Sequence, residues 1–475
     1  MFSIISAFSS AGIFPLISYA LKSDINCSIL YLKVFLQYQK DIQSAIFINL
    51  TKPYPLIPIR MFHIDFKKII AFTVRQEQKF LPTHAPRELK KLYIAMTVLN
   101  FALASGILFE PIYLYSNGYP IWWMALFYLG VYSVYFFTMP LGAKVVVRKG
   151  FEHGIMYGSV FMILYFVFLL NISAHPIFIV LAVLASALQK TMFWPGYHAD
   201  FAYFSQADER AREIGIIAIL DAVSYVLGPL VGGIVVSQFG FSALFAGMCV
   251  VILLSNIPLL IIRERFSPGS FSYAQPYKDI VDRKNFRKTI GYMGFGEELI
   301  VLLVWPVFIY VTIQDYLSTG LAVATSTLIT SLVILIVGRL ADGGRQSALY
   351  HAGVIFIAFA WAFRFLVRGA PSVVMVDFFS RVSKYVFALP FFTMLYGEAR
   401  NATSILRIVT HFEMSLVIGK ISALIAVFAI FYFFGEVWWA AFLLGGAYSL
   451  LYFSLDGSEK REYIPTPPDA ALLRK

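Results

Sequence analysis

The sequence predicts an all-α integral membrane protein: a twelve-helix bundle made of two six-helix repeats, with both termini cytoplasmic. Composition is the first observation behind this. Of 475 residues, 59% are hydrophobic and 14% charged, whereas a soluble domain carries about 25% charged residues. The second is that the apolar residues form long continuous runs rather than an alternation. Such runs select helices over a closed barrel as the way to satisfy the backbone in lipid. The third is that Lys and Arg fall in alternate loops. The 46 Phe, 28 Tyr and 7 Trp suit lipid-facing and interfacial positions.

A span needs roughly 20 mostly apolar residues. From Lys91 onward the runs give spans at 92–113, 121–142, 154–171, 176–196, 214–236 and 242–262, then at 289–312, 320–338, 349–368, 373–396, 405–431 and 436–455. Arg60 to Lys91 holds eight Lys and Arg, and Arg263 to Lys288 holds seven. The loops on the opposite side hold one, Arg368. Basic loops stay on the cytoplasmic side, so both ends of the bundle are expected there. The net charge of +11 is then a product of topology and of contact with anionic headgroups, not a sign of nucleic-acid binding.

A weak internal repeat supports the division into halves. The first span ends Pro111-Ile112-Tyr113-Leu114-Tyr115 and the seventh ends Pro306-Val307-Phe308-Ile309-Tyr310. Pro111 precedes Gly142 by 31 residues, and Pro306 precedes Gly338 by 32. Parallel repeats of this kind mark transporters. The expected organisation is an N-terminal extension with a cytoplasmic amphipathic segment (1–90), two six-helix halves (91–262 and 289–455), a cytoplasmic linker (263–288) and a cytoplasmic tail (456–475). Residues 1–21 lack a basic n-region and do not read as a signal peptide. Residues 28–50 contain Lys33, Lys40 and Asp41 and would span poorly. Residues 1–60 read as a poorly ordered extension or an over-called start. Met61–Phe80 mixes apolar and basic residues, as a surface-lying segment does.

Several function classes drop out. Cys27 and Cys249 are too few and too far apart for a disulfide framework or a zinc site. No His-rich metal cluster, G-x-S-x-G elbow or P-loop is present, so neither an enzyme nor a metal or cofactor is expected, and a gradient must supply the energy. A receptor or a membrane enzyme on the same scaffold remains a lesser alternative.

The most specific stretch lies in the fifth span: Gly215, Ser224, then Gly228-Pro229-Leu230-Val231-Gly232-Gly233. Glycines let helices approach closely in lipid, and a proline leaves a bend that neighbours can satisfy. The spacing resembles motif C of the major facilitator superfamily, Gly-x8-Gly-x3-Gly-Pro-x2-Gly-Gly, with Ser224 in place of one Gly. The resemblance implies proton-coupled antiport. A tightly packed, bent helix would account for the same residues. Gly338, Asp342 and Arg345 resemble the family's motif A between spans eight and nine, with the turn one residue short. Gly142, Arg148 and Lys149 resemble its counterpart between spans two and three, with Val146 where the family places Asp. These are the expected cytoplasmic gate loops, and the resemblance covers roughly 91–455.

Charges inside a membrane are costly, about 2.5–3.5 kcal/mol on insertion scales, and mark functional sites. In the superfamily fold, spans 1, 4, 7 and 10 line the cavity. Glu297 and Glu298 stand about nine residues into span seven, after Gly291, Gly294 and Gly296; Asp377, Arg381 and Lys384 stand on one face of span ten; His411, Glu413 and Lys420 stand in span eleven, Lys190 in span four and Asp221 in span five. Burial and a neighbouring carboxyl raise a carboxyl pKa, so Glu297, Glu298, Asp221 and Glu413 are the proton-coupling candidates. Lys384, Arg381, Asp377, His411 and Lys190 are the candidates for the substrate cavity. Alternatively, Asp377 pairs with Arg381, and a glutamate pairs with Arg381 or Lys384 to close the cavity. Neighbours two apart do not share a helix face, so only one of His411 and Glu413 is expected to look into the cavity. Arg364 in span nine, about one turn from the outer end, is expected to snorkel. Tyr292, Trp305 and Trp194 are candidate cavity walls.

The resulting expectation is a monomeric secondary transporter in the plasma or inner membrane, working by alternating access on a small-molecule substrate and protons. Antiport exporting a drug-like molecule or metabolite leads. Symport or uniport importing a sugar or organic anion is the alternative.

Overall fold

The computed structural model describes residues 87–204, 210–260, 271–341, 346–402 and 404–455, and the regular elements among them are all helical. The readings for residues 1–86 and for the tail lie outside the described residues. The first span consists of α1 (Arg87–Ile107) and α2 (Phe109–Ser116), broken at Leu108. Pro111 stands in the first turn of α2, where its missing N–H costs no helical bond. Next come α3 (Ile121–Lys149), α4 (Phe151–Leu170), α5 (Ile177–Phe204) and α6 (Arg210–Ser255). α6 contains two passes. Gly240, at φ +80° and ψ 174°, turns the chain between them, a backbone region that favours glycine. The expected loop Ser237–Phe241 thus shrinks to one residue. α7 (Ile257–Leu260) completes the sixth span.

α8 (Gln275–Val281) lies in the linker. The seventh span is α9 (Phe286–Met293) followed by α10 (Gly296–Ile313). Then follow α11 (Tyr316–Ala341), α12 (Gln346–Phe363) with a 3₁₀ turn at Arg364–Leu366, α13 (Ala370–Asn401), α14 (Ile405–Phe433), and α15 (Trp438–Leu450) with a 3₁₀ turn at Leu451–Ser454. Among the described residues these form twelve rods in two sets of six. Eight stretches are long and apolar enough to cross a membrane by length and composition, one of them running through the Gly240 bend. The apolar run of the continuous helix α13 is broken by Asp377, Arg381 and Lys384, and α15 has only 13 residues.

The two sets meet along α6 against α11 and along α3 against α14. The glycine-proline stretch explains the first contact. A Cβ on Gly228 would lie 2.6 Å from Ala104, and one on Gly232 would lie 2.2 Å from the Ser105 carbonyl oxygen, both in α1. One on Gly233 would lie 3.0 Å from the Tyr316 carbonyl oxygen in α11. Small residues therefore let α6 sit between α1 and α11, the way helices associate where no hydrophobic drive exists. Outward faces carry exposed Phe137, Leu253, Phe359 and Met375, while Phe109, Tyr135, Trp361 and Phe387 are buried.

α8 ties the halves on the linker side. Tyr273 and Tyr277 donate to the Phe137 and Phe136 carbonyls of α3 at 3.0 and 3.3 Å. Arg407 of α14 grips Asp279 through Nη2 at 2.6 Å and Nε at 2.9 Å. Burial pushes the Asp279 carboxyl up, but the bonds from Arg407 and Gln275 outweigh it and hold the group below the ordinary carboxylate range.

Candidate functional site

The break in the seventh span builds the centre of the site. Gly296 packs so closely that a Cβ there would lie 2.6 Å from the Gly419 carbonyl oxygen of α14. The helix restarts at Gly296, so Glu297 and Glu298 occupy the first turn of α10, where the helix dipole favours negative charge. Lys384 of α13 meets both, at 2.6 Å from Glu297 Oε1 and 3.1 Å from Glu298 Oε1; Lys420 of α14 stands 3.6 Å from Glu298 Oε2. Tyr452 accepts from Lys384 at 3.0 Å and donates to Glu297 at 3.3 Å. The glutamates are thus in an ion-pair network, the cavity-closing pairing left open by the sequence, with Lys384 as the partner.

Two turns before Lys384 on α13, Asp377 receives Arg381 Nε at 2.7 Å and Trp305 Nε1 at 3.1 Å, together with the Ser326 hydroxyl. Glu297, Glu298, Asp377, Arg381 and Lys384 all line one cavity of about 300 Å³, which Tyr225 and Pro229 of α6 close from the other half. Arg364 also lines it, and this overturns the expectation of snorkelling. Its side chain is 2% exposed and lies 3.6 Å from the Trp361 ring centre and 4.9 Å from that of Trp305. The reason is the 3₁₀ turn that ends α12, which sets Arg364 against the bundle interior beside the two tryptophans.

A second cluster crosses between the halves, nearer the linker side. His198 Nε2 of α5 lies 3.0 Å from Glu413 Oε1 of α14, and Tyr135 of α3 donates to Glu413 Oε2 at 2.8 Å. His198 Nδ1 faces the Tyr396 hydroxyl at 2.8 Å, and Trp194 stacks on the imidazole. Sequence reasoning missed His198, because the fourth span was expected to end at 196 whereas α5 continues to Phe204. His411 turns away from Glu413, to Thr289 at 3.1 Å, and Tyr292 packs on it. Lys190 lies 5.7 Å from the Tyr132 ring centre, with Lys420 5.5 Å from the same ring. Neither His411 nor Lys190 lines the 300 Å³ cavity. Asp221 accepts from Asn100 at 2.6 Å, tying α6 to α1.

The gate loops are partly described. Arg148 and Lys149 end α3, and Gly142 packs on the Thr191 carbonyl of α5. Val146 joins a buried apolar cluster with Ala199 and with Leu406 of α14, so an apolar contact between the halves stands where the family has an acidic latch. Gly338 lies within α11 and Gly215 within α6. Asp342 and Arg345 lie outside the described residues. On the side away from the linker, Tyr115 reaches Glu436 at 3.2 Å and Ser116 faces the Tyr316 hydroxyl at 3.1 Å.

The comparisons agree with this architecture. The family profile described as Major Facilitator Superfamily matches residues 2–399. The uncharacterized protein YqgE of Bacillus subtilis (strain 168) is 18% identical over 317 residues, 64% of this chain and 73% of its own. Among solved structures, the human organic anion transporter MFSD10 (TETRAN) aligns at TM-score 0.57 and 12% identity, over 78% of this chain and 99% of its own. A bacterial homologue of the iron transporter ferroportin, in an outward-facing state, aligns at TM-score 0.56 and 12% identity with the same coverage. With its helical architecture and its match to the family profile over most of its length, the chain belongs to the Major Facilitator Superfamily and is a multi-pass membrane transport protein.

Proposed function

We propose that the protein is a proton-coupled secondary transporter of a small solute, a monomer in the plasma or inner membrane with both termini cytoplasmic, working by alternating access. The observation that carries the reading is the pair Glu297 and Glu298, set beside the cavity at a mid-span helix start and held by Lys384 and Lys420. A proton on Glu298 leaves Lys420 without its partner, and a proton on Glu297 leaves Lys384 and Lys420 to share Glu298. An uncompensated charge in a dry site is costly, so protonation favours a rearrangement that supplies a new partner. Asp221 and Glu413 are further carboxyl groups for the same relay, and Glu413 with His198 latches the linker side.

The expected antiport drew on the glycine-proline stretch, and packing of Gly228, Gly232 and Gly233 against α1 and α11 accounts for those residues. The sense of coupling then follows from substrate charge. An anion loads together with the proton, whereas a cation displaces it.

The test uses purified protein in liposomes with an internal pH dye, an imposed proton gradient and a panel of lipophilic cations, sugars and organic anions. Substrate-dependent proton movement is expected, and should vanish in the double variant Glu297→Gln plus Glu298→Gln. Solute flux with no proton movement would make the protein a uniporter and reduce both glutamates to structural partners.

A further inference from the structure

Three acids, Glu297, Glu298 and Asp377, and three cations, Lys384, Arg381 and Arg364, line the cavity, and Lys420 behind it takes a share of Glu298. Glu297 and Glu298 face Lys384 and Lys420, and Asp377 faces Arg381. Arg364 makes no ion pair among the described residues, and its Nε and Nη1 have no hydrogen-bond partner although the residue is 2% exposed. The Ser380 hydroxyl, which lines the same cavity, is buried without a partner too. A guanidinium keeps its charge in proteins, and buried donors left unmade cost the full desolvation of the group. Trp361 and Trp305 stack on the guanidinium. Stacking uses its flat face, fixes its orientation and leaves the N–H fork at its edge free.

We propose that Arg364 is the anchor for a carboxylate, and that the cavity takes a small organic monoanion with an apolar body. A planar fork matches a carboxylate bidentately. Arg364 is the cavity cation with no carboxylate at ion-pair distance among the described residues, and its unpaired donors call for one negative charge. Apart from Tyr225 and Ser380, the rest of the lining, including Ile107, Val301, Ile309, Val323 and Ile357, is apolar or aromatic, and about 300 Å³ is the lower end of the size range of small-molecule sites. This assignment rests on the transport reading and names its substrate class. With an anion as substrate, proton and solute travel in the same direction.

The test is a binding measurement with no gradient, made on the full chain in lipid nanodiscs. The probes are benzoate, octanoate and biphenyl-4-carboxylate, each beside its own primary amide, read by calorimetry and by the fluorescence of Trp305 and Trp361. At least one carboxylate should bind about tenfold or more tighter than its amide, the scale of a charge-assisted hydrogen bond. That preference should vanish in Arg364→Met and shrink in Arg364→Lys, which keeps the charge without the fork. The proposal is overturned if no carboxylate outbinds its amide, or if the preference survives in Arg364→Met. Should that variant not fold, an unchanged preference in Arg364→Lys overturns it equally. Loss of proton coupling in liposomes, with this binding intact, would count against the transport reading alone.

Discussion

Glu413 shows how much one side chain controls. It accepts from Tyr135 and faces His198, both in the other half, so the cluster must come apart whenever the linker side opens. Removing one partner of a buried pair leaves the other uncompensated. Glu413→Gln is therefore expected to shift the population towards the linker-side-open form. With Cys27 and Cys249 replaced by Ser and a reporter at the buried Leu406, labelling by an impermeant maleimide should run about tenfold faster in the variant, which corresponds to about 1.4 kcal/mol. Equal labelling rates would show that the cluster does not hold the gate. His198 and Tyr396 share this test, because their contacts converge on the same imidazole.

At the scale of elements, close helix packing separates two glycines that look alike in sequence. A Cβ on Gly142 would lie 1.8 Å from the Thr191 carbonyl oxygen, whereas one on Gly247 meets nothing within 4 Å. Gly142→Ala should lower the melting temperature in detergent, by the equivalent of about 1–3 kcal/mol of overpacking. Gly247→Ala should leave it unchanged or raise it, since alanine favours a helix by up to about 1 kcal/mol. Similar melting of the two variants would remove the packing account of α3 on α5. The α8 strap adds a pH dependence. The Asp279 carboxyl is held below its ordinary range, so its stabilising effect is present above the ordinary carboxylate pKa of about 3.9 and is lost as pH falls through the lowered value. Hydrogen exchange over residues 275–281 should be steady from neutral down to about pH 4, after correction for intrinsic rates, and should rise only below that. Asp279→Asn should abolish the rise. An acid step near neutrality would point to another group.

On the scale of the whole molecule, the halves touch both near the linker side and on the side away from it, so transport by rocking requires each set of contacts to break in turn. Ser116 and Tyr316 meet between the halves on the side away from the linker, their hydroxyls 3.1 Å apart. Ser116→Cys with Tyr316→Cys, bridged by a short reducible bifunctional thiol reagent, is expected to stop solute flux, and cleavage of the bridge to restore it. Full flux through the cross-linked form would exclude rocking about this interface.

The span pattern was legible residue by residue, because bilayer thickness sets run length and the basic residues mark alternate loops. Gly240 even turns the chain inside the loop expected between the fifth and sixth spans. The same rules put Glu297, Glu298, Asp377, Arg381 and Lys384 in the membrane, and the structure collects them around one cavity. Helical spacing offered Asp377 with Arg381, and a glutamate with Lys384 or Arg381, as alternatives, but not the choice between them and not the pairs between distant helices. Lys384 has no acid one turn away on its own helix and finds Glu297 on α10, 87 residues earlier. His198 finds Glu413 across the interface between the halves, and Arg364 faces inward only because α12 tightens into a 3₁₀ turn beside two tryptophans. The number of passes and the alternation of basic loops can be read along the chain, since each depends on a run of neighbouring residues and the thickness of lipid. The ion pairs between helices, the latch and the Arg364 guanidinium left without an ion pair come from packing, since they depend on helix rotation and crossing, which local sequence does not encode.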